Sequence, residues 1–215
     1  MSKWRGMTRC AAVATVVSMV CGALAACSLG PKAEQPVTYD LGAPRSHAGA
    51  KPGIAAVLYL PDVTAPAWLN GPGIVYRLNY DNPARPQPYA LSRWSASPAA
   101  LLTERLRSRF AAATAKGIVT GPDGVRADYL LRVELEDFSQ SFDAPNSSRV
   151  VLHARASLVN VATRNLIAQR AFAVEQAAPT SDAPGAVQAL SAASEEFTET
   201  LLKWTEERLR AAGAK

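Results

Sequence analysis

The stretch 127-ADYLLRVELE-136 decides the fold. Ala127, Tyr129, Leu131, Val133 and Leu135 alternate with Asp128, Arg132, Glu134 and Glu136, and Leu130 breaks the pattern only mildly. A period of two puts one set on a buried face and the other in water, as in an antiparallel sheet covered on one side. Val150, Leu152, Ala154, Ala156 and Leu158 form a second such stripe. The chain turns at Ala162-Thr163-Arg164, and residues 166–174 return as a third strand. The three strands read as an antiparallel meander.

Helices flank this core in sequence. Ser97 is a good N-cap and Pro98 fits the first helical position. Leu102, Leu106 and Phe110 then recur every four residues, and Gly117 is the expected end of that helix. A second helix starts at Asp182 with Pro184 just inside it. Val187, Leu190, Phe197, Leu201 and Trp204 form its apolar stripe, with Ser194 at the missing step. Glu195-Glu196 and Glu206-Glu207 beside the stripe fit an exposed charged face. The expected architecture is α+β: an antiparallel sheet with two helices packed on one face, in a single domain.

Between residues 54 and 94 the signals are less regular. The run 54-IAAVLYLP-61 has the length of a strand buried on both faces. Ile74 to Leu78 and Tyr89 to Trp94 read as an irregular hairpin, with 80-YDNPARPQP-88 as a Pro-rich tip that cannot pair in a central strand.

The N-terminus carries Lys3, Arg5 and Arg9, then an apolar stretch from Ala11 to Ala23, then Leu24-Ala25-Ala26-Cys27. This is the layout of a lipoprotein signal, cut before a cysteine whose thiol takes lipid. The apolar stretch is too short to span a bilayer, which takes about 20 residues. An ordinary secretory signal cut after Ala26 is the alternative. Residues 1–26 are thus the expected signal peptide, 27–36 an acylated cysteine and tether, and 37–213 the folded domain. Two or more acyl chains anchor stably, at about 0.8 kcal/mol per buried methylene. Ser28, where an aspartate would favour inner-membrane retention in Gram-negative bacteria, suggests outer-membrane sorting.

The formal charge of +5 falls to +2 without residues 1–26, because they hold three basic residues and no acid. Nothing in that balance implies a nucleic-acid partner. Cys10 and Cys21 leave with the signal, so no disulfide, thiolate metal site or cysteine nucleophile is expected within the mature chain. His47 falls in a Gly/Ala/Pro-rich loop and His153 in a strand, and each reads as a surface residue. There is no G-x-S-x-G, phosphate loop or dinucleotide fingerprint. The acid pair Glu136-Asp137 reads as a solvated strand end rather than a catalytic dyad, and no cofactor or metal is expected.

The richest candidate surface is residues 68–94, where Trp68, Tyr76, Tyr80, Tyr89 and Trp94 lie among prolines with Arg77, Arg85 and Arg93. Aromatic and arginine side chains are enriched at binding hot spots. Tyr76, Arg77, Tyr80 and Trp94 are the candidate partner-binding residues, although Trp94 could equally pack under the helix that follows.

The ordered set 71-GPGIVYR-77, Tyr80, 92-SRWSASPAALL-102, 163-TRNLIAQRAF-172 and 186-AVQALSAAS-194, behind a lipobox and Tyr39-Asp40-Leu41, resembles the PqiC-like ABC-type transport auxiliary lipoproteins. The resemblance spans nearly all of the mature chain. It implies a non-enzymatic, outer-membrane-anchored subunit facing the periplasm. Its partners would be an MCE-domain protein (PqiB-like or MlaD-like) and that protein's ABC transporter, and it allows for a homo-oligomer. A lipoprotein activator of a cell-envelope enzyme is the alternative, and an envelope hydrolase using carboxylates a more distant one.

Overall fold

A computed structural model describes residues 34–44, 52–121 and 124–213. Cys27, the signal sequence, most of the tether and His47 lie outside the described residues.

The central strand is β6 (Tyr129–Ala144), which contains the quoted alternation. Along one side it pairs antiparallel with β7 (Ser147–Asn160), and β7 pairs antiparallel with β8 (Leu166–Ala177). The expected meander is therefore present, with each strand longer than the pattern alone suggested.

The other side of β6 is shared. Near its start lies β2 (Leu58–Tyr59), parallel to it, with β5 (Ile118–Val119) parallel beyond. Near its end lies β3 (Gly73–Leu78), also parallel, followed by antiparallel β4 (Asn82–Trp94) and then parallel β1 (Val37–Tyr39). The sheet is thus mixed rather than wholly antiparallel. Alternation marks a strand but not the direction of its neighbour. The long excursion from β3 through a helix to β6 is the kind of crossover that parallel neighbours require.

A β-bulge shifts the phase of β6. Leu135 faces Ala154 and Asp137 faces His153, which leaves Glu136 as the extra residue. Leu131, Val133 and Leu135 point to the core before it, and Phe138, Gln140 and Phe142 after it, all buried.

Helix α1 (Pro98–Ala113) opens on the expected cap: Ser97 Oγ accepts from the Ala100 amide at 3.4 Å. Leu102, Leu106 and Phe110 are fully buried, each contributing about 1.5–3 kcal/mol on burial. The helix stops before Gly117 because Thr114 is drawn into an extended bridge with Ile54. Helix α2 (Ala183–Ala211) starts at Asp182, whose carboxylate accepts from the Gly185 amide at 2.8 Å. Ser194 is buried in its stripe and donates to the Leu190 carbonyl at 2.7 Å, so the polar step is satisfied within the helix. α2 packs against β6, β7 and β8, and α1 against α2, with one continuous core between helices and sheet.

Two expectations between residues 54 and 94 change. In the run 54–61, Ile54, Ala56, Leu58 and Leu60 are buried while Ala55 is exposed and Val57 and Tyr59 are half-buried, so the segment is covered on one face only. The Pro-rich stretch is not the hairpin tip but the first half of β4. It lies at the sheet edge, since β1 covers only Ser92 to Trp94, and prolines are tolerated there.

Candidate interaction surface

The β3–β4 hairpin carries the sequence-selected residues. Asn79 fixes its turn by donating to Ser141 Oγ at 2.8 Å and Asp143 Oδ1 at 2.9 Å. Tyr80 stands at the tip, 50% exposed. Tyr76 and Arg77, as neighbours in a strand, point to opposite faces.

On the helix-covered face, Tyr76 is half-buried and tilts against Tyr89 with ring centres 4.7 Å apart, its edge 5.9 Å from Phe142. The Tyr89 hydroxyl donates to Gln140 Oε1 at 2.6 Å, and Gln140 Nε2 donates on to Ser148 Oγ at 2.8 Å. This relay satisfies both ends of a glutamine that is 0% exposed. Burial pushes the Tyr89 phenol well above its ordinary range, with smaller contributions from the Asp182 charge and Tyr76.

On the open face, the Arg77 guanidinium lies 4.7 Å over the Trp68 ring, donates to the Pro83 carbonyl at 3.2 Å and approaches Asp137 to 4.0 Å. Asp137 also accepts from Ser139 Oγ at 2.7 Å. Glu136 accepts from Arg155 at 2.7 and 2.9 Å. The pair Glu136-Asp137 therefore lies inside a long strand, not at a strand end as expected. The bulge brings two sequential carboxylates to one face, and each has its own arginine. Among the described residues no cluster of His, Cys, Asp and Glu could hold a metal ion. No helix of the described residues is long and apolar enough to cross a membrane.

The four candidate residues do not make one surface. Trp94 is 1% exposed and packs against Phe138 at 5.7 Å between ring centres, so it belongs to the core and not to a partner surface. It joins the continuous core between helices and sheet. Tyr76 offers only an edge, Arg77 serves the opposite face, and Tyr80 alone stands fully out. Trp68, which supports Arg77, was in the sequence cluster but not singled out.

Sequence reasoning also missed a buried link between the helices. Arg105 donates to Glu195 at 2.7 Å and to the backbone carbonyls of Leu41 and Gly42. Arg109 grips Glu199 at 2.5 and 3.1 Å. Glu195 is therefore enclosed rather than on an exposed face. The matching signal was present as spacing, because both arginines and both glutamates stand four apart.

Residues 39–201 match the family described as ABC-type transport auxiliary lipoprotein component. The chain belongs to that family, which associates it with an ABC-type transport system and, as a lipoprotein, with a membrane of the cell envelope. Among solved structures it is similar to a Xanthomonas campestris protein of the DUF330 family, with 18% identity and a TM-score of 0.72, over 83% of this chain and 100% of that one. A second, uncharacterized protein aligns at 18% identity with a TM-score of 0.59, over 80% of this chain and 99% of the other. At such identities the likeness concerns the fold alone. No curated protein matches the chain by sequence.

Proposed function

We propose that the protein is the outer-membrane lipoprotein subunit of an MCE/ABC-type lipid transport system. It docks the MCE-domain protein that spans the periplasm and so supports envelope integrity. The observation that carries this reading is the family match over residues 39–201. The hairpin supplies the contact, because Tyr80 projects from a sheet edge that β1 leaves largely uncovered. Its action is positional rather than catalytic, and the arginines already held by Glu136 and Asp137 support that view.

The lipidated, tagged full chain, extracted in mild detergent, should recover an MCE-domain protein, and Tyr80→Ser should reduce the yield. Recovery of cell-wall synthases alone would overturn the docking role. Cys27→Ser should leave the fold intact but release the protein from its membrane and abolish its support of the envelope. Full function from the unanchored variant would show that anchoring is not its contribution.

A further inference from the structure

At the Tyr129 end of the sheet is a cavity of about 1120 Å³ whose lining includes Lys116, Arg126 and Arg164. The three cations come from separate places: the loop between α1 and β5, the segment before β6, and the β7–β8 turn. All three are exposed, and none has a carboxylate partner among the described residues, whereas Arg105, Arg149 and Arg155 elsewhere do. Among the described residues one acid, Asp128, lines the same cavity; it is exposed, and one of its carboxylate oxygens accepts the Val57 amide at 2.8 Å.

The walls between the cations are apolar. Val125 is 59% exposed and Val161 41% exposed, and Tyr59 and Tyr129 also line the cavity. Two exposed valines thus stand beside three cations that have no carboxylate partner among the described residues. Arg164 adds a further sign, since it adopts φ of 59°, a left-handed conformation uncommon outside glycine, asparagine and aspartate. Its turn is held there by the Thr163 amide bonding Asn160 Oδ1 at 3.0 Å and the Asn160 amide bonding the Asn165 carbonyl at 2.9 Å. Strain of this kind, fixed by its surroundings, gathers at ligand sites.

We propose that this cavity binds a single anion-headed amphiphile, of the phosphodiester lipid class. The guanidinium and ammonium groups take the anionic head, and the valines and tyrosines take the start of the apolar chains. The volume is on the scale of a small-molecule pocket. This role stands whether or not the docking role does, and the pull-down above does not bear on it.

The test is calorimetric titration of the unlipidated mature chain with dihexanoyl phosphatidylglycerol below its micelle concentration. Saturable binding is expected, at least fivefold tighter than for dihexanoyl phosphatidylcholine. Amide NMR shifts should fall on residues 124–129 and 160–164. Arg126→Ala with Arg164→Asn should weaken binding at least tenfold, and asparagine keeps the left-handed backbone of the turn. Arg208→Ala, on the last turn of α2, should not change it. Inorganic phosphate binding as tightly as the lipid would make this a free-phosphate site and overturn the proposal. Binding to phosphatidylglycerol vesicles with none to the monomeric lipid would mark a surface patch instead, and also overturn it.

Discussion

Arg105 and Arg155 make the same bond to a glutamate on opposite sides of one sheet. Arg105 meets Glu195 at 2.7 Å between two helices, where both side chains are buried. Arg155 meets Glu136 at 2.7 Å across two strands, where both are exposed. The bond lengths agree, but the surroundings do not. Enclosure lowers the local dielectric, so the inner pair is both strongly coupled and costly to break. The outer pair is screened by water and contributes little. The lesson is that cover by the two helices, not the residue types, decides which charges hold the fold together.

The largest expected effects lie on the enclosed side. Glu195→Ala leaves the Arg105 guanidinium buried without its carboxylate and should lower the unfolding free energy by about 3–5 kcal/mol, read from urea denaturation. A loss below about 1 kcal/mol would mean that water reaches the pair and would erase the contrast. Trp94→Ala should cost a similar amount, about 3–5 kcal/mol, through the cavity left beside Phe138. A near-neutral result there would return Trp94 to the list of surface candidates.

Asp182 comes next, at the exposed start of α2. Asp182→Ala should cost about 1 kcal/mol. Hydrogen bonds from Thr180 and then the Gly185 amide hold its carboxyl below the usual aspartate range. Its stabilisation is therefore complete above about pH 4, the range of an unfolded aspartate, and is lost as pH falls through the lower folded value. Asp182→Asn should keep the cap and flatten this part of the acid limb. An unchanged pH profile would remove Asp182 from the account.

The smallest effect is expected outside. Glu136→Gln should leave the urea midpoint where it is. The same variant tests the catalytic alternative, because an envelope hydrolase using Glu136 and Asp137 would lose an activity that the wild type possesses.

Much of this was legible in the sequence, and the exceptions share a cause. The meander, both helix starts and the two apolar stripes follow from periods and caps that each segment carries in itself. Strand direction in the flanking region did not, since a two-residue strand such as β2 owes its place to β5 and β6 rather than to its own sequence. The phase change at Glu136 was hidden because two acidic residues in a row look like the end of an alternation. Glu195 looked solvent-facing because its cover comes from a helix 90 positions away in the chain. In the candidate surface, aromatic content was visible but not depth. Trp94 and Tyr80 are chemically similar choices at opposite extremes of burial.

The polarity of β1 has a mechanical consequence. A pull on the Val37 end of β1 along its own axis would run along the strand, not across it. The ladder from Val37 to Tyr39 against β4 would then be loaded in shear, all of its bonds at once, rather than peeled one by one. Just behind it, Arg105 and Ser191 both hold the Leu41 carbonyl, so the same pull is passed directly into the two helices. A load applied just before Val37 would therefore meet this joint before the rest of the described domain.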